Sequence, residues 1–138
     1  MDAKEAFIDT LNNTKLIALA TQGESGPNVR IMDFLFDADA KKIYFPTSSR
    51  SHKAQELEKN NAVALTTIPQ GPGAVIRIQH VKAEKSSKTI ADVKDALIAK
   101  REPIQFMLQG FGETGVVYEI AITGGVMIEK GKPTKVEL

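Results

Sequence analysis

At 138 residues the chain is long enough to form one domain, residues 1–138, with a core of its own. Lys and Arg number 18 against 17 Asp and Glu, a formal charge of +1, so no bulk attraction to nucleic acid or to an anionic membrane is implied. The absence of cysteine excludes disulfides, thiolate nucleophiles and cysteine metal sites, and two isolated histidines, His52 and His80, do not suggest a metal centre. The polar opening residues and the lack of a long apolar run predict a cytoplasmic protein without signal peptide or membrane span.

Residues 2–13 read as an amphipathic helix, because Ala3, Phe7 and Leu11 recur every fourth position with Ile8 beside them. Residues 16–20 are a continuous apolar run, the pattern of a strand buried on both faces. A glycine-bearing loop at 22–28 turns the chain back into a strand at 29–36, and a turn at 37–41 leads to a third strand at 42–45. Loops this short permit antiparallel pairing, not crossovers. In the middle strand, alternation sets Arg30 on one face with Met32, Phe34 and Phe36. Asp33 shares the other face with Val29, Ile31 and Leu35. An arginine that opens an apolar face needs an exposed rim or an anionic partner. Asp33, mid-strand among large apolar neighbours, needs backbone or cross-strand partners, or marks the polar edge of a ligand.

The third strand runs into Pro46-Thr47-Ser48-Ser49-Arg50-Ser51-His52-Lys53, followed at once by a helix-forming run at 54–59. Hydroxyls and cations at a helix N-terminus suit a bound phosphate, since the free N–H groups and the helix dipole both favour an anion there. The same residues suit a plain cap by Ser49 or Ser51, and the stretch alone leaves both readings open. Beyond it, 61–68 and 74–83 read as strands separated by the breaker at 69–73. Ile90, Val93, Leu97 and Ile98 make the stripe of a helix that ends before Pro103. Residues 104–112 read as loop or irregular helix, 116–122 and 126–129 as strands around Gly124-Gly125, and 131–135 as a polar, exposed tail. Six or seven strands with three helices point to a mainly β protein, a closed or partly closed antiparallel barrel with peripheral helices. No dinucleotide fingerprint or P-loop is present.

The ordered series Leu19-Ala20-Thr21, a glycine turn, Pro27-Asn28-Val29-Arg30, Ile43-Tyr44-Phe45-Pro46-Thr47-Ser48, Ser51-His52-Lys53-Ala54 and Asn61-Ala62-Val63-Ala64-Leu65 resembles the pyridoxamine phosphate oxidase-like family, the FMN-binding split barrel. The likeness runs from about residue 7 to residue 68 and is weak afterwards. It implies a split antiparallel β-barrel that forms a homodimer with two FMN sites at the subunit interface. Carried over by position, it implies that Arg30 grips the FMN phosphate and that Thr47 and Ser48 add contacts. Ser51, His52 and Lys53 would complete the cradle, and the backbone of Ile31, Met32 and Asp33 would lie along the flavin ring. Gln105, Phe106, Met107 and Tyr118 are candidates for reaching a flavin across the dimer. No catalytic residue and no metal ligand can be named.

Within that family, oxidases of vitamin B6 phosphates resemble a longer chain whose C-terminal segment bears arginine and histidine. After Val126 this chain carries neither, which argues against that activity. The resemblance therefore implies an FMN-binding oxidoreductase acting on an unknown small molecule. Alternatives on the same barrel are a non-catalytic FMN carrier or electron-transfer protein, a haem-binding relative that uses His52 or His80, and a deazaflavin-binding relative.

Overall fold

The computed structural model describes all residues, Met1–Leu138. Helix α1 (Ala3–Asn13) opens the chain, capped by the Asp2 carboxylate, which accepts the Glu5 N–H at 2.8 Å. Phe7 and Leu11, one turn apart, are fully buried, as their spacing requires. Strand β1 (Leu16–Gly23) pairs along its length with β2 (Gly26–Asp33), from Leu16↔Asp33 to Gly23↔Gly26. On its other edge β1 pairs with β5 (Ala62–Ile68). Expected to be buried on both faces, β1 buries only Ile17, Leu19 and Thr21. Leu16, Ala18 and Ala20 on the outer face of the single chain are half-buried.

The strand expected at 29–36 is two strands. β2 ends at Asp33, and β3 (Leu35–Asp37) leaves β1 to pair with β4 (Lys42–Ser48), from Leu35↔Tyr44 to Asp37↔Lys42. The sheet order is β2-β1-β5-β6-β7-β4-β3, so one bent strand closes the barrel by joining its two ends. Before the bend, β2 has no partner on the edge away from β1. The edge of β4 turned away from β7 has none beyond Tyr44. These two edges diverge, and the barrel is split between them.

Helix α3 (Ile90–Lys100) holds the bend. Arg101, its C-cap, donates Nε and one Nη to the two Asp33 oxygens at 2.6 and 2.8 Å. Lys100 donates its ammonium to the Phe34 carbonyl at 3.0 Å and lies 3.6 Å from the centre of the Phe34 ring. The bend thus finds its polar partners on one helix end, where cations are favoured by the dipole. Burial pushes the Lys100 ammonium down to about 8, against the opposing pull of Asp33.

Helix α2 (His52–Lys59) plugs one mouth of the barrel, with Ala54 and Leu57 buried. β6 (Val75–Lys85) runs two residues further than expected and carries a bulge opposite Val63–Leu65, with exposed His80 at φ +60°. Residues 104–112, expected to be irregular, contain a regular helix, α4 (Ile104–Phe111), followed by a 3₁₀ turn at Gly112–Thr114. Ile104 and Leu108, one turn apart, pack with Val93, Leu97, Tyr44 and Val117 outside the barrel. The flanking glycines hid that short stripe. β7 (Gly115–Ala121) lies between β6 and β4.

The polar tail is instead a strand. β9 (Lys132–Glu137) pairs with β8 (Gly124–Glu129) from Gly124↔Glu137 to Glu129↔Lys132. Only Val136 of β9 is buried, so its sequence lacks the alternation that marks a strand. Gly124, at φ +144°, is required here, because a Cβ would stand 2.0 Å from the Val136 carbonyl oxygen. The interior holds a core of twenty residues that includes Phe7, Phe34, Phe45 and Ile120. β4 is covered on both faces, Ile43 and Phe45 inside and Tyr44 under α3 and α4.

Asp33 is 4% exposed and Arg101 28% exposed, so removing the two partners should have unequal effects. Arg101→Met leaves a buried carboxylate unpaired and should cost about 3 kcal/mol. Asp33→Asn leaves a cation that can turn to water and should cost about 1–2 kcal/mol. Urea denaturation of both variants checks the order.

Candidate functional site: a cation pair at the barrel mouth

The inner face of β2 brings Arg30 to the mouth that α2 closes. Arg30 stands opposite buried Leu19, and Asn28 opposite buried Thr21. The arginine does have an anionic partner, which is Glu56 of α2. One Nη donates to the Glu56 carboxylate at 3.0 Å and the other to the Thr21 hydroxyl at 2.6 Å. Thr21 donates in turn to Glu56 at 2.8 Å, and the Asn28 amide donates to the second Glu56 oxygen. An arginine carries five N–H donors, so with two engaged three remain.

Lys53 comes to the same mouth from the first turn of α2. Its ammonium donates to the Thr47 hydroxyl at 3.0 Å and lies 6.0 Å from the centre of the Phe45 ring. Phe45 is stacked on Tyr118 at 5.6 Å, which builds the floor below it. Burial first, and the Arg30 charge second, push the Lys53 ammonium down to about 8. Two cations held this close without a full counter-charge make a site that gains from an anion.

Ser51 is the helix cap. Its hydroxyl accepts the Ala54 N–H at 3.1 Å and shares a hydrogen bond of 3.0 Å with Thr47. The cap reading of the stretch is met by Ser51, which lies beside Thr47 and Lys53. Ser48 turns elsewhere. Its hydroxyl meets that of Thr114 at 2.7 Å and accepts the Arg50 N–H at 3.2 Å. The Ser49 N–H donates to the Thr114 carbonyl at 2.8 Å, which ties this loop to the turn after α4.

Of the residues singled out from sequence, the structure brings together Arg30, Thr47, Ser51 and Lys53. His52 is exposed and lines a polar hollow with the β1–β2 turn and Gln55. Ile31 and Met32 lie on β2, the strand with the free edge, and the Asp33 carboxylate is committed to Arg101. Tyr118 is buried in the core, Gln105 is half-buried, and Phe106 and Met107 are exposed. Glu56, Thr21 and Asn28 were missed as partners of Arg30. The available signals were the position of Glu56 three residues after Lys53 on one helix, and of Thr21 two after Leu19 on one strand face.

The largest cleft of the chain, about 860 Å³, lies away from this cluster, between the outer side of β6 and the β8–β9 hairpin. Its Arg77, Gln79 and His80 are exposed side chains on an open surface. Fixed donors converge at the mouth, not in that cleft.

An antiparallel barrel, opened along one seam and closed at its mouth by a helix that carries a cation, defines a split-barrel protein. The chain belongs to the pyridoxamine 5'-phosphate oxidase-like family, whose model matches residues 10–132. A stretch of 59 residues is 41% identical to general stress protein 26 of Bacillus subtilis strain 168, covering 43% of this chain and 41% of that protein's length. Among solved structures, general stress protein 26 of Bacillus anthracis str. Sterne matches with a TM-score of 0.75 at 17% identity, over 100% of both chains. A Clostridium acetobutylicum protein related to general stress protein 26 matches at 0.72 and 18% identity, over 100% of this chain and 97% of that one. A heme binding protein from Mycobacterium smegmatis matches at 0.77 and 11% identity, over 99% of this chain and 59% of that one. At these identities the structural likenesses establish the fold. No helix is long and apolar enough to cross a membrane.

Proposed function

We propose that the protein binds FMN and works as a flavin-dependent oxidoreductase on a small molecule, as a homodimer with the cofactor at the interface. The observation that carries this reading is the partly engaged Arg30 beside a half-buried Lys53, two cations with donors to spare on a family barrel split along one seam. The donor set fits a phosphate ester. A guanidinium presents a planar fork to phosphate oxygens, and the ammonium adds a compact charge.

In this reading Arg30 and Lys53 hold the phosphate, with Thr47 and Ser51 keeping the ammonium and the first turn of α2 in place. The free edge of β2 at Ile31, Met32 and Asp33 offers backbone donors and acceptors to the polar rim of a flat ring. Arg101 and Lys100 hold the end of that edge still. When bound, FMN supplies the hydride or electron chemistry, and the chain supplies its orientation.

Two features support a second copy. The outer face of β1 has the composition of a buried strand yet is half-covered in one chain. On the neighbouring β2, Val29 and Ile31 stand 70% and 63% exposed. None of the larger clefts of the single chain is lined by Arg30, Thr47 or Lys53, so one copy does not enclose a ligand there.

The absorption spectrum of purified or FMN-reconstituted protein tests the cofactor. Flavin bands are expected; an intense Soret band would favour a haem relative. Arg30→Ala and Lys53→Ala should each weaken FMN binding by about 1.5–3 kcal/mol, the range for a charge-assisted hydrogen bond. Riboflavin, without the phosphate, should bind weakly and be indifferent to both changes; equal wild-type affinity for the two flavins would sink the assignment.

Affinity should also depend on pH. With the Lys53 pKa at about 8 in the free protein and raised beside a dianion, the complex holds more protons than its parts above pH 8. FMN affinity should then fall as pH rises through 8, and Lys53→Ala should abolish that slope in a fluorescence titration. Light scattering of the flavin-loaded protein should give a dimer, and a monomer with flavin bound would contradict the interfacial site.

A further inference from the structure

Glu56 is an acid inside a site read as an anion cradle, and nothing about a phosphate site requires one. Both of its oxygens are engaged, one by Arg30 and Thr21 and the other by Asn28. The fold makes room for it at Gly23, where a Cβ would stand 2.5 Å from the carboxylate and 2.8 Å from the Asn28 amide. The charged side chain in contact with it is Arg30 from β2, while Thr21 of β1 and Asn28 of β2 are neutral. The exposed pair of Lys59 and Glu24, 3.1 Å apart, lies at the outer end of α2. The Thr21 hydrogen bond first, with those of Asn28 and Arg30, holds the Glu56 carboxyl below its usual range against the opposing effect of burial. It is therefore charged at neutral pH, and Arg30 is only 24% exposed beside it.

We propose that Glu56 is the resident counter-charge of the cradle, a residue that stabilises the empty site and sets how strongly it binds a phosphate dianion. The proposal rests on the reading of Arg30 and Lys53 as the phosphate cradle. In the empty protein the carboxylate offsets the charge of Arg30, the cation that also disfavours the Lys53 ammonium at the same barrel mouth. When a dianion arrives at the remaining donors of Arg30, the same carboxylate repels it. Glu56 thereby limits affinity for anions, and the cradle favours ligands that bring a ring and its contacts as well as a phosphate.

A simple brace for Arg30 would behave differently. Losing a brace would lower both the stability of the empty protein and its affinity for the ligand. Losing a counter-charge should move the two in opposite directions.

The test compares wild type, Glu56→Gln and Arg30→Ala at pH 7 and low salt, by thermal unfolding of the empty protein and by titration with FMN, riboflavin and inorganic phosphate. Glu56→Gln keeps the shape and an acceptor oxygen but removes the charge. The empty variant should melt at lower temperature, yet bind FMN and phosphate about five- to tenfold more tightly, with riboflavin unchanged. Glu56→Asp, which withdraws the charge from Arg30, should show the same signs more weakly and serves if the glutamine variant does not fold. Unchanged or weaker binding of both anions by these variants overturns the proposal. If wild type binds FMN and Arg30→Ala weakens it while Glu56→Gln does nothing, only the role of Glu56 falls. If wild type binds neither anion, the cradle reading falls and this inference with it.

Discussion

The structure depends on one strand that changes partners. β2 and β3 are a single stretch of chain bent at Phe34, paired with β1 before the bend and with β4 after it. A strand can serve both ends of a rolled sheet only by giving up pairing somewhere along each edge, and the free lengths of β2 and β4 are what it gives up. Unpaired backbone inside a protein is costly, so a seam of this kind persists only where its polar groups find partners. At the bend those partners are Lys100 on the Phe34 carbonyl and Arg101 on the Asp33 carboxylate. The bend also determines where Arg30 lies, on the inner face four residues earlier and facing the helix that plugs the mouth.

The mouth is an electrostatic compromise. Phe45 and Tyr118 form an apolar floor, and burial above it lowers the Lys53 ammonium to about 8. A second cation, Arg30, adds to that cost, and Glu56 offsets part of it. Every polar side-chain atom buried here has a hydrogen-bond partner, as buried polar groups in folded proteins require. The arrangement satisfies its buried polar atoms within one chain and still has arginine donors available, whereas in an ordinary buried ion pair both partners are consumed.

The fold alone does not assign a ligand. A heme binding protein from Mycobacterium smegmatis and general stress protein 26 of Bacillus anthracis share this barrel at identities of 11% and 17%. Function on such a scaffold is carried by the side chains at the seam, not by the barrel. Here those side chains are an arginine, a lysine and two hydroxyls at a helix start. The two histidines are both exposed in the single chain, His52 on α2 and His80 on the β6 bulge.

Much of this was legible in the residues. Ala3, Phe7 and Leu11 determine α1 through helical spacing, and the short loops around 22–28 and 37–41 force antiparallel pairing. Arg30 on an apolar face and the run from Thr47 to Lys53 stand out in the sequence, because charge and hydroxyls in those places are anomalies that need a cause, and the structure brings Arg30, Thr47, Ser51 and Lys53 to one barrel mouth. What stayed hidden were features decided by partners distant in sequence. The break at Phe34 follows from Arg101 and Lys100 more than sixty residues on. β9 is a strand because β8 lies beside it, although only Val136 is buried. The glycines around α4 concealed the turn from Ile104 to Leu108 that packs on Tyr44 and Val117. Local periodicity can state which way a side chain faces, but not which charge it meets. Sequence alone determined that Arg30 needed either an exposed rim or an anionic partner; only tertiary structure, by laying α2 across the barrel mouth, decided that it has a partner and that the partner is Glu56.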